Sequence, residues 1–168
     1  RGNLNVTSGT LEFGSSFDQA IAIDGNIVIA NAGTFSVANT GTALHTISLS
    51  GGITNNGTIN FNQASKVNLN MIGNTSKSIS GTNGAAVTNL SKLTLDKGTS
   101  PVILLNVDVA GTLTAPSNNW LTLVNGTFRL SKAASLILTD QPGSNFIIPF
   151  TSALSVNHIG ANVSVANV

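Results

Sequence analysis

The sequence contains no cysteine and no tyrosine, and only 8% of its 168 residues are charged. Without cysteine, neither disulfide bonds nor thiolate metal sites are available. An ordinary globular chain carries about 25% charged residues, so this chain has too few Glu, Lys and Arg side chains to build many solvated helix faces. Because 41% of the residues are hydrophobic, the composition also argues against a disordered chain. We therefore expect an all-β domain.

Charge and aromatic content exclude two classes of partner. The formal net charge is +1 and no basic run occurs, so the chain lacks the electrostatic footprint of a nucleic-acid binder or of a protein that binds acidic membrane surfaces. Aromatic residues make up 5% of the chain, which leaves few platforms for stacking bases. The longest apolar runs, such as residues 102–105, are far shorter than the roughly 18 to 20 residues that cross a bilayer. The sequence predicts no nucleic-acid partner and no membrane insertion.

A glycine followed by threonine recurs at a constant interval of 24 residues, at Gly9, Gly33, Gly57 and Gly81. The segments between these copies alternate apolar and polar residues, for example 21–25, 47–51 and 67–71. Such alternation over four or five positions is typical of a strand with one buried face. Glycine and asparagine at the joints supply the positive φ angles of tight corners. Each unit therefore holds about three short strands.

A period of roughly 20 to 50 residues without helices indicates a solenoid. We predict a right-handed parallel β-helix that spans residues 1–168 as one domain, with about seven coils stacked about 4.8 Å apart. After Gly81 the units become less regular. A β-sandwich with Greek-key connections is the alternative, but it offers no reason for a constant interval. The stack predicts the internal columns Leu11, Phe35, Ile59 and Phe13, Val37, Phe61, and an outer ladder of Thr10, Thr34, Thr58 and Thr82.

Residues 88–140 repeat short apolar strands separated by glycines, in a pattern met by Leu90, Leu93, Leu95, Val102, Leu104, Val107, Val109, Gly111, Leu113, Gly126 and Leu130. This pattern resembles repeat regions of large secreted and surface proteins of gliding, biofilm-forming bacteria. The stretch "IPFTSALSVNHIGANVSVANV" is similar to a continuation of such regions. The resemblance implies an extracellular β-helix within an adhesin-like protein of the cell surface. It also implies neighbouring repeats of the same chain, or surface glycans, as partners.

A carbohydrate-active or glycan-binding β-helix is the main alternative, because parallel β-helices often house polysaccharide lyases and hydrolases. Such sites need clustered carboxylates on one outer face. Asp24 and Asp96 occupy similar strand ends but lie three coils, or about 14 Å, apart, beyond the roughly 5 to 9.5 Å that glycosidase carboxylates need. Asp108 could still approach Asp96 or Asp140 through irregular loops. This alternative predicts a groove lined by an aromatic residue such as Trp120 and by at least two of Asp96, Lys97, Asp108, Arg129 and Asp140.

Metal and histidine chemistry find little support in the sequence. No calcium-binding nonapeptide and no EF-hand loop occurs. A single calcium ion bound at a corner by Asp18 or Asp96 remains an alternative. His45 and His158 have no nearby carboxylate in a recognisable motif. We expect them to be ordinary surface or corner residues, and we expect no metal site, no cofactor and no catalytic residue.

The outer side chains raise a further possibility, since flat threonine arrays on β-solenoids bind ice. The position two residues after each threonine of the motif is uneven, however, at Glu12, Ser36, Asn60 and Arg129. Outward threonine also simply suits a β surface. Asparagines at corners are expected to cap turns or to form ladders between coils, at Asn3, Asn26, Asn56, Asn74 and Asn125.

The sequence as a whole favours a non-enzymatic structural or adhesive segment of a bacterial extracellular or cell-surface protein. A carbohydrate-active or glycan-binding β-helix is the second hypothesis, and an ice-binding β-solenoid is the third. Because neither end shows an obvious polar cap, we expect the domain to be part of a longer repetitive chain or to pair end to end.

Overall fold

The backbone winds into a parallel β-solenoid of about 6 turns, with a period of about 26 residues and no helix among the residues that the structure describes. A computed structural model provides this structure, and it describes residues 2–138 and 146–165. The predicted parallel β-helix is therefore confirmed. The mean coil is longer than the 24-residue interval of the early motif, so the turns number about 6 rather than seven.

Strands occupy most of each coil. In chain order they are β1 (Leu4–Phe13), β2 (Ala20–Ile23), β3 (Ile27–Val37), β4 (Leu44–Leu49), β5 (Ile53–Asn55), β6 (Thr58–Asn60), β7 (Lys66–Ile72), β8 (Lys77–Gly81), β9 (Val87–Asn89), β10 (Lys92–Asp96), β11 (Leu104–Val109), β12 (Thr112–Thr114), β13 (Leu121–Leu130), β14 (Ser135–Leu138), β15 (Ser152–Val156) and β16 (Asn162–Val165).

These strands stack in parallel on three faces. The first face contains the beginnings of β1 and β3, then β5, β8, β11, the end of β13 and β15. The second face contains the ends of β1 and β3, then β6, β9 and β12. The third face contains β2, β4, β7, β10 and the beginning of β13. Strands β14 and β16 pair with each other in a separate sheet.

Columns of apolar side chains fill the space inside the coils. On the second face Leu11 lies beside Phe35 and Phe35 beside Ile59, in the predicted register; Phe35 and Ile59 are buried, whereas Leu11 in the first coil is 40% exposed. Phe13 lies beside Val37 in the same way, and the Phe61 ring packs edge-on against that of Phe35, 5.0 Å between centroids. Burying such a side chain contributes roughly 1.5–3 kcal/mol. The apolar residues of the alternating segments therefore face one continuous core.

The predicted outer threonine ladder is confirmed for its first three members and wrong for Thr82. Thr10, Thr34 and Thr58 are in register, but Thr58 pairs with Val87. The reason is the corner between β8 and β9, which is longer than the corner between β5 and β6. Gly81 therefore still lies on the first face, against Asn55, where a Cβ would collide with the Asn55 carbonyl oxygen.

A pair of buried polar side chains accompanies this change of register. Asn55 is fully buried, and its Nδ2 donates to the Val87 carbonyl at 2.7 Å and to Thr88 Oγ1 at 2.8 Å. Its Oδ1 accepts a hydrogen bond from the Gly57 N–H. Thr88 lies in the internal column between Ile59 and Leu113. Because a buried amide needs partners, this pair links the third coil to the fourth.

Candidate functional site

The outer surface of the first face forms a shallow polar depression, here called the first-face trough. It consists of two cavities of about 380 and 490 Å³ that share Thr54. Its lining is dominated by short polar side chains and glycine, including Asn26, Gly52, Ser78, Ser80, Asn106 and Asp108. Among the residues that the structure describes, no aromatic side chain contributes to this lining.

Register explains why these side chains meet. Ser80 pairs with Thr54 of the preceding coil and with Asp108 of the following coil. Asn106 pairs with Ser78 below it and with Arg129 above it. Since alternate residues of a strand point to the same side, each row of the trough repeats from coil to coil.

Two of the five charged residues predicted for a carbohydrate site, Asp108 and Arg129, lie on this face in adjacent coils. The Nε of Arg129 is buried and has no hydrogen-bond partner in the described part of the chain. Asp96 lies on the third face instead, where its Oδ1 accepts a hydrogen bond from Asn125 Nδ2 at 2.6 Å. Asp140 lies outside the described residues.

Lys97 and Trp120, also proposed for that groove, are both buried in the core. Trp120 Nε1 donates to the Ile137 carbonyl at 2.8 Å. Lys97 Nζ donates to the Ile72 carbonyl at 2.7 Å. Burial, helped by the positive charge of Lys77, lowers the pKa of Lys97 from 10.5 to about 8. Sequence reasoning missed this because a lysine beside a turn is ordinarily solvated.

Lys132 is a basic neighbour of the Asp108 carboxylate. Lys132 Nζ donates to the Gly111 carbonyl. Burial lowers the pKa of Lys132, while the negative charge of Asp108 acts in the opposite direction. The upper end of the first-face trough therefore presents the Asp108 carboxylate near the cation of Lys132, with Arg129 on the same face.

A second polar row runs along the second face. Ser36 Oγ donates to Glu12 Oε2 at 3.3 Å, Asn89 Nδ2 donates to Asn60 Oδ1 at 2.9 Å, and Thr114 Oγ1 donates to Asn89 Oδ1 at 3.0 Å. The mixed column predicted from sequence is thus confirmed up to Asn60. Arg129 does not belong to it, because the end of β13 lies on the first face.

Corner asparagines connect the coils, as predicted. Asn3 Oδ1 accepts a hydrogen bond from the Asn26 N–H at 2.8 Å, and Asn26 Oδ1 accepts one from the Gly52 N–H at 2.9 Å. Asn56 Oδ1 accepts one from the Thr82 N–H at 2.8 Å. Asn125 donates to Asp96, whereas Asn74 lies exposed at its corner. Each of these amides except Asn74 bonds a group on the next or the preceding coil.

The two histidines behave differently. His45 is fully buried, which corrects the expectation of a surface or corner residue. Its ring stacks on Phe13, 4.6 Å between centroids, and its Nδ1 accepts a hydrogen bond from the Gln19 N–H. It faces inward because it is in register with the core residue Val67. His158 is exposed, as expected, and its Nδ1 accepts a hydrogen bond from the Gly160 N–H.

The candidate metal ligands do not assemble. Within residues 2–138 and 146–165, no group of three or more His, Asp or Glu side chains is placed to hold a metal ion. Asp18 instead caps a strand, since its Oδ1 accepts a hydrogen bond from the Leu44 N–H at 2.8 Å. In the same ranges no helix is long and apolar enough to span a membrane.

Three parallel faces, a continuous apolar core and polar rows on the outside define the protein as a parallel β-solenoid. Comparison with known proteins gave no match to a family model, to a curated protein or to a solved structure.

Proposed function

We propose that the chain is a non-enzymatic, structural or adhesive rod of an extracellular or cell-surface protein. The observation that carries the proposal is the set of side-chain bonds between coils. The corner bonds from Asn26 to Asn3 and from Gly52 to Asn26 join three successive coils along one edge. On the second face, the bond between Asn89 and Asn60 and the bond between Thr114 and Asn89 do the same. A bacterial surface location is supported by the resemblance of residues 88–140.

Stiffness follows from this arrangement because every coil bonds to its neighbours by backbone and side chain. In a solenoid, local stabilities and nearest-neighbour contacts add up approximately unit by unit. A rod of this kind resists bending and transmits tension along its axis. Its partners would be neighbouring repeats of the same chain.

Single-molecule stretching between the two ends tests the proposal. We expect the chain to unfold in successive steps, each releasing about one coil, because contacts are local. Asn26→Ala should lower the force of the earliest steps. Asn5→Ala is the matched control, since Asn5 is exposed on the same face. Unfolding of the whole chain in one step, with no effect of Asn26→Ala, would refute the proposal that the chain is a structural rod.

Glycan binding is the second candidate, and the first-face trough favours it. Hydroxyls, amides and the Asp108 carboxylate in the trough, together with Arg129 on the same face, offer both acceptors and donors to sugar hydroxyl groups. The rows repeat about every 4.8 Å, a spacing comparable with one sugar unit of an extended chain. Without an aromatic platform, single contacts should be weak, so binding would depend on several adjacent rows.

A glycan array, followed by titration of any ligand found, tests this second candidate. Asp108→Asn combined with Arg129→Met should abolish the binding. Glu12→Gln, on the second face, is the control and should leave binding unchanged. An array without bound glycans, or binding that survives the double substitution, would exclude the first-face trough as a glycan-binding site. Ice binding is the third hypothesis; Val87 interrupts the threonine row, and a measurement of thermal hysteresis tests it directly.

A further inference from the structure

Asparagine is followed by glycine three times in the chain, at Asn56–Gly57, Asn83–Gly84 and Asn125–Gly126. At such a pair the glycine nitrogen can attack the side-chain carbonyl carbon Cγ. A new N–C bond forms, the bond from Cγ to the side-chain nitrogen breaks, and ammonia leaves with the displaced proton. Water then opens the resulting succinimide to aspartate or isoaspartate. Glycine favours the reaction because it has no Cβ to hinder the approach.

Two of the three pairs are protected by their hydrogen bonds. The Gly57 N–H donates to Asn55 Oδ1 at 3.1 Å. The Gly126 N–H donates to the Thr151 carbonyl at 3.0 Å. An attacking nitrogen held in such a bond must first break it. Both glycines are also buried, so water reaches them poorly.

The third pair is open. Gly84 lies in an exposed turn, its N–H makes no hydrogen bond to any described residue, and a Cβ placed on it would meet no atom within 4 Å. Asn83 Oδ1 accepts a hydrogen bond from the Ala85 N–H at 3.0 Å, and the Ala86 N–H donates to the Asn83 carbonyl. This turn folds the Asn83 side chain over the following peptide. The side-chain carbonyl of Asn83 is therefore held against the turn that contains Gly84.

The Asn83 amide also joins three coils. Its Nδ2 donates to Asn31 Oδ1 at 2.6 Å and to the Asn56 carbonyl at 2.6 Å. A carboxylate in its place has no N–H to donate and would set its negative oxygens against two acceptor oxygens. The two bonds that Asn83 Nδ2 makes to the second and third coils would be lost.

We propose that Asn83 is a site of spontaneous deamidation and that the reaction opens this clasp between coils. The formal net charge at pH 7 then falls from +1 to zero. The reaction requires only water. With time it replaces the hydrogen bonds of the Asn83 amide by repulsion between the new carboxylate and the same acceptor oxygens.

Peptide mapping by mass spectrometry tests the site. The folded chain and a urea-unfolded sample are incubated side by side at mildly alkaline pH, and the three pairs are followed by their small mass gain and by isoaspartate content. In the folded chain Asn83 should react several-fold faster than Asn56 and Asn125. In the unfolded sample the three rates should converge. Equal rates in the folded chain, or a folded chain in which only Asn56 or Asn125 reacts, would overturn the proposal, as would no reaction in the folded chain while the unfolded sample reacts.

Gly84→Ala is the matched control variant. The added Cβ meets open space and φ is not in the left-handed region, so the fold and the clasp should persist while the deamidation of Asn83 slows. Asn83→Asp supplies the aspartate product directly and should shift the urea midpoint of unfolding to lower concentration. Unchanged deamidation in Gly84→Ala would refute the assigned chemistry. An unchanged midpoint in Asn83→Asp would refute the role of the amide as a clasp.

Discussion

The first three coils and the two that follow are built on the same three faces, but they differ in their spacing. Ser36 bonds to Glu12 across 24 residues, whereas Asn89 bonds to Asn60 across 29 and Thr114 to Asn89 across 25. The stack continues through this irregularity because each coil contacts only its neighbours. A solenoid therefore absorbs insertions at its corners without losing its core.

Both regions bury polar side chains, but they differ in what fills the internal column of the second face. The early second-face column is aromatic and aliphatic, with the Phe35 ring packed between those of Phe13 and Phe61. The later coils bury Thr88 against Asn55, and Lys97 near the Ile72 carbonyl. Polar groups in a core need specific partners. Because the later coils contain the buried Lys97 amine, whose pKa is lowered to about 8, their stability should depend more on alkaline pH.

Truncating an early core side chain should have the largest effect. Phe35→Ala should lower the free energy of unfolding by about 3–5 kcal/mol, because it opens a cavity in a filled column. Leu113→Ala, in the same column of a later coil and 8% exposed, should cost less. Urea denaturation measures both, with Phe17→Ala at a 77% exposed position as the control. Equal losses at Phe35 and Leu113 would remove the proposed difference between the regions.

Lys97 should give the later coils a dependence on alkaline pH. Its pKa is about 8 in the fold against 10.5 when unfolded, so the unfolded chain binds more protons between these values. The free energy of unfolding should therefore rise from about pH 8 to 10.5. Lys132, whose pKa is also lowered, acts in the same direction.

The difference between wild type and Lys97→Met isolates this contribution. The chain has no tyrosine to titrate in the same range. The substitution should flatten the rise measured by urea denaturation across this range, whereas Lys92→Met, at an exposed position, should keep it. A wild-type profile that is level over the whole range would contradict the buried amine.

Thr88→Val should have the smallest of the three effects. The substitution removes the hydroxyl that accepts from Asn55 Nδ2 and leaves only the Val87 carbonyl as that atom's partner. We expect a loss of about 1–3 kcal/mol. Thr58→Val on the outer ladder is the matched control and should change stability by less than about 0.5 kcal/mol. A loss no larger than the control's would show that the buried pair does not hold the third coil to the fourth.

Sequence reasoning succeeded where a single period decides the outcome. The repeat with its alternation predicted the register of Leu11, Phe35 and Ile59. The position of Asn3 and Asn26 at corners predicted their amide bonds between coils. Sequence reasoning failed at Thr82 because the 24-residue interval was assumed to continue across the corner between β8 and β9, which is longer than the corresponding earlier corner. It failed at His45 because a polar residue in an alternating segment was expected to face outward or to lie at a corner.

The repeat of apolar positions by itself determined that this chain stacks in parallel coils. One apolar face per short strand is buried most simply against the equivalent strand of the next turn. Tertiary structure alone decided which neighbour each side chain meets after Gly81, the last glycine of the 24-residue repeat. It therefore decided that Asp108 and Arg129 share a face, whereas Lys97 and Trp120 lie in the core. The physical reason is that register beyond a corner is set by backbone pairing and by the partners of buried polar atoms, and neither is written in the local pattern.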